Sequence, residues 1–170
     1  MKTRNMVITS LLMAIGLVLH AITPPVFMGI KPDFLLSCMF ISLIINPSKI
    51  NTITTGIIAG LMSAFTTGFP MGQIPNIIDK ICTALIISLI INSAFKNNIT
   101  PLKISLLSIF GTLVSGTLFL GSALILVGLP GPFIALFMSA VLPATLLNAV
   151  VSVLIYRAFK TTALMKKNTI

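Results

Sequence analysis

Charged side chains are scarce in this sequence, and acidic ones are nearly absent. Only 8% of the 170 residues are charged and just two, Asp33 and Asp79, are acidic, whereas 56% are hydrophobic. A soluble domain carries roughly 25% charged residues, so this chain has too little polarity to cover a surface exposed to water. The composition therefore predicts an all-α membrane protein, with residues 1–170 forming one integral membrane domain in the lipid bilayer.

Other absences exclude several kinds of chemistry. The sequence contains no Gly-Lys dipeptide, so it has no Walker-type phosphate loop with which to bind ATP. His20 is the only histidine, which excludes histidine-clustered metal sites and argues against a catalytic triad. Cys38 and Cys82 lie in apolar runs and have no metal-binding or disulfide spacing. We therefore expect this chain to be no enzyme and to bind neither a metal nor a cofactor.

Six apolar runs, separated by proline, glycine and asparagine, predict six transmembrane helices. A span needs about 20 apolar residues; the second and third runs are shorter, so we expect short helices held by their neighbours. Pro143 should kink the sixth helix, and small residues such as Gly111 and Gly116 in the fifth predict close helix packing. The predicted helices are Met6–Thr23, Phe34–Ile45, Thr52–Thr66, Ile77–Phe95, Ile104–Val127 and Phe133–Phe159.

Basic residues indicate the orientation of these helices. If the amino terminus is cytoplasmic, only Lys31 and Lys80 of the eleven basic residues fall outside, which satisfies the positive-inside rule. We therefore expect both termini in the cytoplasm of a bacterial cell. The net charge of +9 then reflects topology and requires no nucleic-acid partner. The predicted cytoplasmic residues are Lys2, Arg4, Lys49, Lys96, Lys103, Arg157, Lys160, Lys166 and Lys167.

Each aspartate lies beside a lysine at the predicted outer face. Lys31-Pro32-Asp33 precedes the second run, and Asp79-Lys80 opens the fourth. A charged side chain at the centre of a membrane helix costs roughly 2.5–3.5 kcal/mol or more, so we expect both acids at the membrane boundary. There an outward-facing pocket can use them, and two acids with two bases suit a zwitterionic ligand.

Helix capping explains the same aspartates without a ligand. Pro32 resembles a first-turn proline, and Asp33 would then sit favourably at a helix amino terminus. Asn76 followed by Asp79 resembles an N-cap with an acid at the third position. On spacing alone, both interpretations stay open for either aspartate.

Two outer segments resemble the signature of the TrpP tryptophan-transporter family. They are Gly29-Ile30-Lys31-Pro32-Asp33-Phe34-Leu35-Leu36 and Thr66-Thr67-Gly68-Phe69-Pro70-Met71-Gly72-Gln73-Ile74-Pro75-Asn76-Ile77-Ile78-Asp79-Lys80. The resemblance runs along nearly the whole chain, including Ala14-Ile15-Gly16 and His20 in the first helix. Met71 stands where the resemblance leads us to expect a further glycine.

The resemblance implies that this chain is the substrate-binding S component of an energy-coupling factor (ECF) importer, a kind of ABC transporter. Such a component has six helices with both termini in the cytoplasm, and it would bind tryptophan near the outer face. It lacks an ATPase and works with a transmembrane coupling subunit and two cytosolic subunits that use the ATP. S components often carry an Ala-x-x-x-Ala contact motif in the first helix, which Ser10 and Ala14, followed by Val18, match only approximately.

Charged groups are needed to bind a tryptophan tightly. Burying its side chain removes roughly 150–250 Å² from water, worth about 4–6 kcal/mol, whereas sub-micromolar capture needs more than about 8 kcal/mol. Charge-assisted hydrogen bonds must supply the rest. We expect Lys31 or Lys80 to bind the carboxylate of the substrate, and Asp33 or Asp79 its ammonium group.

The indole ring needs a hydrogen-bond acceptor and apolar contacts. We expect Gln73, Asn76 or His20 to accept the indole N–H, and Phe27 and Phe69 to stack on the ring.

The alternative function is a self-sufficient, small proton-coupled amino-acid transporter. Proton relays place carboxylates within the membrane. The sequence predicts no carboxylate at mid-depth, which disfavours this alternative.

Overall fold

The computed structural model describes residues 3–26, 30–94 and 99–161, and these residues fold into six helices. Four of the helices are long and apolar enough to cross a membrane, whereas the second and third along the chain have 12 and 17 residues. The prediction of six helices is thus confirmed for the described residues, as is the shortness of the second and third, whereas six membrane crossings stay a prediction. The helices are α1 (Thr3–Ile22), α2 (Phe34–Ile45), α3 (Lys49–Phe65), α4 (Gln73–Ala94), α5 (Pro101–Leu126) and α6 (Phe133–Thr161).

Polar caps explain why α3 and α5 begin earlier than their apolar runs. The Ser48 hydroxyl accepts a hydrogen bond from the backbone N–H of Asn51 at 3.3 Å. The Thr100 hydroxyl accepts one from the N–H of Lys103 at 3.3 Å, and Pro101 follows at the first helical position. These side chains satisfy N–H groups that a helix start leaves unpaired, so each helix extends past its apolar run.

Helix α2 lies in the middle of the bundle. Its residues 35–44 are all buried, and it contacts each of the other five helices. A helix that is apolar on all sides is expected to be buried, and the composition of Phe34–Ile45 fits that rule. At 1.5 Å per residue this helix is only about 18 Å long, and its neighbours surround it.

Helix α6 is interrupted near its proline. Phe133–Leu136 is α-helical, Phe137–Val141 forms a π-helical turn, and α-helix resumes at Leu142. Pro143 follows directly. It has no N–H to donate to the carbonyl four residues earlier, and its ring clashes with that carbonyl. The predicted disturbance at Pro143 therefore takes the form of a π turn.

Glycines bring α5 against its neighbours. A Cβ added to Gly111 would lie 2.4 Å from Cζ of Phe40, a fully buried residue of α2. One added to Gly116 would lie 2.4 Å from a methyl group of Val141 in the π turn. Both glycines are therefore required for close packing, as the sequence indicates.

The outward faces of the helices are apolar. Large side chains such as Phe65 and Ile125 are 87% and 83% exposed on the isolated chain. Apolar surface of this extent is expected where lipid is the solvent.

Candidate functional site

A cavity of about 570 Å³ opens at one end of the bundle. It lies where α1 and α3 end and where α2 and α4 begin, and it is completed by the middle of α5 and the π turn of α6. Its volume is within the range of small-molecule sites, roughly 300–1,000 Å³. The predicted site residues that line it are His20, Lys31, Asp33, Phe69, Asn76, Asp79 and Lys80.

Two other predicted ligand contacts are not placed in the cavity. Gln73 is the first residue of α4; its side chain is exposed, and it is not among the residues that line the cavity. Phe27 lies outside the described residues, as do Lys2, Lys96, Lys166 and Lys167.

The Lys80 ammonium group is the centre of the polar cluster in this cavity. Its Nζ lies 2.7 Å from Oδ2 of Asp79 and 3.1 Å from Oδ2 of Asp33. It also donates to the hydroxyl of Ser115 at 3.2 Å. Since an ammonium group has three N–H donors, these contacts can occupy all of them. Lys80 is only 3% exposed, and the two carboxylates compensate its buried charge.

Asp79 does not cap α4, so the capping interpretation of Asn76 and Asp79 is wrong. The helix begins at Gln73, which makes Asp79 its seventh residue, about 9 Å along the axis from the start. The sequence does not reveal this because Pro75 indicates a break. A proline in the first turn is tolerated, however, since its missing N–H would have no partner within the helix.

The Asp79 carboxylate is instead held by side chains. Its Oδ1 accepts from the Thr83 hydroxyl at 2.9 Å, and its Oδ2 accepts from Ser115 at 2.8 Å as well as from Lys80. Asp79 lies inside the candidate span Gln73–Ser93 and is 1% exposed. Asp79 therefore lies deeper in its helix than the sequence predicts, and its place at the membrane boundary stays a prediction.

Asp33 is both a helix cap and a member of the cluster. Its Oδ1 accepts from the backbone N–H of Leu36 at 2.9 Å, which confirms the capping interpretation. Pro32 lies just before this cap rather than in the first turn. Burial opposes the charge on Asp33, but Lys80 and then His20 outweigh that effect and lower the pKa of Asp33 below its ordinary value. Asp33 is therefore a carboxylate at neutral pH, with 24% of its side chain exposed.

Lys31 does not pair with its neighbour Asp33. Its Nζ donates to the backbone carbonyl of His20 at 2.9 Å, which ties the segment before α2 to the end of α1. The imidazole Nδ1 of His20 lies 3.7 Å from Oδ1 of Asp33, too far for a hydrogen bond. Tertiary structure thus pairs Asp33 with Lys80 and leaves Lys31 beside the cavity.

An aromatic pair covers another part of the cavity wall. Phe69, in the loop between α3 and α4, meets Phe119 of α5 edge to face, with ring centroids 5.3 Å apart. Phe119 follows Ser115 by one helical turn, about 6 Å along α5, so the aromatic pair is displaced from the charged cluster. In the same loop Met71 has a φ of 54°, the left-handed conformation that favours glycine. This conformation explains the glycine expected at Met71.

Residues of α5 and α6 complete the site, and the sequence did not assign them to it. Asn148, 1% exposed, accepts from the backbone N–H of Asp33 at 2.7 Å and donates to Thr112 at 3.2 Å. Ser115 bridges Lys80 and Asp79. An asparagine in the sixth apolar run is the signal that could have identified Asn148, since polar residues within spans usually face the bundle interior.

The predicted partner surface lies on the outside of α1. Ser10, Ala14 and Val18 are all exposed, so they share an outward strip of this helix. Gly16 instead faces inward, where an added Cβ would lie 3.0 Å from Cβ of Cys38. The strip is therefore accessible, and its role in binding a partner stays a prediction.

Known proteins similar to this chain are bacterial transport proteins. A family model described as "Tryptophan transporter TrpP" matches residues 2–164. A "Probable tryptophan transport protein" of Clostridium acetobutylicum is 46% identical over 161 residues, which cover 94% of each chain. Proteins of the same name from Bacillus subtilis and Clostridium perfringens are 46% and 42% identical, covering 95% and 92% of this chain and 93% and 91% of theirs. No solved structure matches.

These relatives and the long apolar helices make the chain a multi-pass bacterial membrane protein. It is a transport protein and not an enzyme. Because the family model matches nearly its whole length and the relatives are 42–46% identical, the chain belongs to the TrpP tryptophan-transporter family.

Proposed function

We propose that this chain is the S subunit of an ECF importer and captures tryptophan at the outer face of the membrane. The observation that carries the proposal is the cavity itself, which combines two lysines, two aspartates and an aromatic pair in about 570 Å³. An amino acid with an aromatic side chain carries one charge of each sign and one ring, and the cavity lining offers a partner for each.

Lys31 is the better partner for the substrate carboxylate. The three donors of Lys80 are engaged by Asp33, Asp79 and Ser115, so binding a carboxylate there would break an existing contact. Among the described contacts, Lys31 uses one donor, on the His20 carbonyl, which leaves two for a ligand. Its side chain is half-buried at the cavity wall, where a charge-assisted bond gains strength from partial desolvation.

Asp33 is the better partner for the substrate ammonium group. Each carboxylate oxygen can accept about two hydrogen bonds, and each oxygen of Asp33 has one partner among the described residues. Asp33 keeps 24% of its side chain exposed. Asp79 is almost fully enclosed and already accepts from three side chains. We therefore infer that Asp79 positions Lys80, while Asp33 contacts the substrate.

The ring would lie against the aromatic wall. Phe69 and Phe119 can contact an indole ring edge to face or stacked. Each such aromatic pair contributes about 0.5–1.5 kcal/mol in addition to the free energy of burying the ring. Together with the two charge-assisted contacts, this wall supplies the free energy that apolar burial alone lacks.

Helix direction and charge support an outward-facing cavity. Helices α1 and α3 end at the cavity and α2 and α4 begin there, whereas α5 and α6 line it with their middle parts. Six crossings with a cytoplasmic amino terminus would place the end of the bundle where α1 and α3 end on the outside, and both termini inside. The positive-inside distribution of lysine and arginine favours the same orientation.

The arrangement of titratable groups argues against the proton-coupled alternative. Asp79 does lie within the candidate span Gln73–Ser93, as a proton relay requires. However, the whole sequence has only two acidic residues and one histidine, and Asp33, Asp79 and His20 all line the same cavity. No further carboxylate or imidazole exists to carry a proton to the opposite side. Coupling to ATP-hydrolysing partner subunits, through the α1 strip of Ser10, Ala14 and Val18, is the mechanism we propose instead.

Ligand titration tests the substrate assignment. The purified full-length chain should bind tryptophan far more tightly than tryptamine, which lacks the carboxylate, or indole-3-propionate, which lacks the ammonium group. Loss of either group strands a partly buried charge, which costs about 2–5 kcal/mol, or thirty-fold and more in affinity. Tryptamine binding within a few-fold of tryptophan would contradict the role of Lys31.

A further inference from the structure

Ser63, near the end of α3, has an unsatisfied buried hydroxyl. Its side chain is 5% exposed, and among the described residues no hydrogen-bond partner lies within reach of its Oγ. Other hydroxyls on these helices bond to the carbonyl four residues earlier: Thr66 to Met62 at 2.8 Å and Thr117 to Leu113 at 2.8 Å. A buried hydroxyl without a partner costs free energy, so Ser63 calls for an explanation.

The position of Ser63 points to a ligand. Ser63 lines the cavity at the last turn of α3, just before the loop that carries Phe69. A Cβ added to Gly60 would lie 3.0 Å from Cα of Ile77 in α4. Ser63 is three residues further along α3 and lies on the same helix face as Gly60, so Ser63 also faces the start of α4. His20 Nδ1 is the other buried unpartnered atom at the cavity among the described residues, and it lies beside the Asp33 carboxylate.

We propose that Ser63 is the specificity-determining acceptor for the ring N–H of the substrate. The inference rests on the proposed function, since it concerns the ring of the amino acid bound in the same cavity. The charged groups of the ligand have charged partners in Lys31 and Asp33, whereas a neutral hydroxyl suits a neutral N–H donor. A site built to accept such a hydrogen bond discriminates against an isostere that lacks the donor.

Calorimetric titration with two ligands tests this assignment. L-Tryptophan and 3-(3-benzothienyl)-L-alanine share their shape, but sulfur replaces the ring N–H in the second. Ser63→Ala should weaken tryptophan binding about three- to ten-fold and leave benzothienylalanine binding unchanged. Ser63→Cys keeps the size but supplies only a weak acceptor. It should therefore weaken tryptophan binding as Ser63→Ala does, and it provides the test if Ser63→Ala does not fold.

Ser37→Ala is the matched control. The Ser37 hydroxyl is also buried and, among the described residues, unpartnered, but it does not line the cavity. Its removal should change neither affinity.

Three results would overturn the inference. Equal weakening of the binding of both ligands in the Ser63 variants would indicate that Ser63 acts through packing. Tryptophan binding as tight as in the wild type would indicate that another acceptor, such as Asn76, is responsible. A similar loss of preference in Ser37→Ala would also contradict it. A wild-type protein that binds neither ligand would instead refute the proposed function, and this inference with it.

Discussion

Nζ of Lys80 lies 3.1 Å from Oδ2 of Asp33, and this contact joins the cap of α2 to the buried face of α4. The same ammonium group holds Asp79 at 2.7 Å. One lysine therefore compensates two carboxylates, and Asn148 of α6 accepts from the backbone of Asp33 in the same region. The cluster is at once part of the fold and part of the cavity wall.

Removal of this lysine should strongly destabilise the protein. Lys80→Met leaves the Asp33 and Asp79 carboxylates without the ammonium group that both contact, and breaking a buried pair in this way costs about 3–5 kcal/mol. Thermal unfolding in detergent should show a clearly lower midpoint. The exposed Lys49 on α3 provides the control, since Lys49→Met should change stability by less than about 0.5 kcal/mol. Adding Asp79→Asn to Lys80→Met should recover part of the loss; equal stability of Lys80→Met and wild type would contradict this role.

The two aspartates should respond differently to neutralisation. Asp33→Asn keeps a side chain that can cap α2 but removes the charge that we assign to the substrate ammonium. Tryptophan affinity should fall by about thirty-fold or more. Asp79→Asn should lower the unfolding midpoint and reduce affinity less, because Asp79 acts through Lys80. Calorimetric titration and thermal unfolding of both variants test this prediction. A larger loss of tryptophan affinity in Asp79→Asn than in Asp33→Asn would show that Asp79 contacts the substrate.

Much of the fold follows from hydrophobic patterning. Phe34–Ile45 is apolar on every side, and the helix begins and ends as predicted. The start of α4 was misplaced because Pro75 is a breaker in most contexts but is harmless in a first turn. That error of four residues produced the wrong cap assignment for Asp79.

The site could be predicted only in part, for a physical reason. Its charged residues are rare in an apolar chain and are therefore easy to single out. Their pairing depends on how helices pack: Asp33 lies two residues from Lys31 in sequence, but it pairs with Lys80 of another helix. Ser63 and Asn148 lie in apolar runs, where small polar residues also serve ordinary helix packing, so only the tertiary structure distinguishes them.

The outward strip of α1 should matter for transport and not for binding. Ala14→Trp places a bulky ring on a surface where we expect close contact with the coupling subunit. Uptake should be lost while tryptophan titration of the purified chain stays unchanged. Leu154→Trp alters a similarly outward position on α6, where the side chain is 58% exposed, and should leave uptake intact. Equal loss of uptake and binding in Ala14→Trp would show that this position supports the fold.

Dependence on partner subunits is the most direct test of the S-subunit assignment. The measurement is uptake of labelled tryptophan by cells that produce this chain with or without the coupling and ATP-binding subunits. We expect concentrative uptake only when all subunits are present, and its collapse when ATP is depleted, because the chain has no nucleotide-binding loop and no relay of carboxylates across its helices. Robust concentrative uptake by the chain alone, in cells or in liposomes, would contradict the assignment.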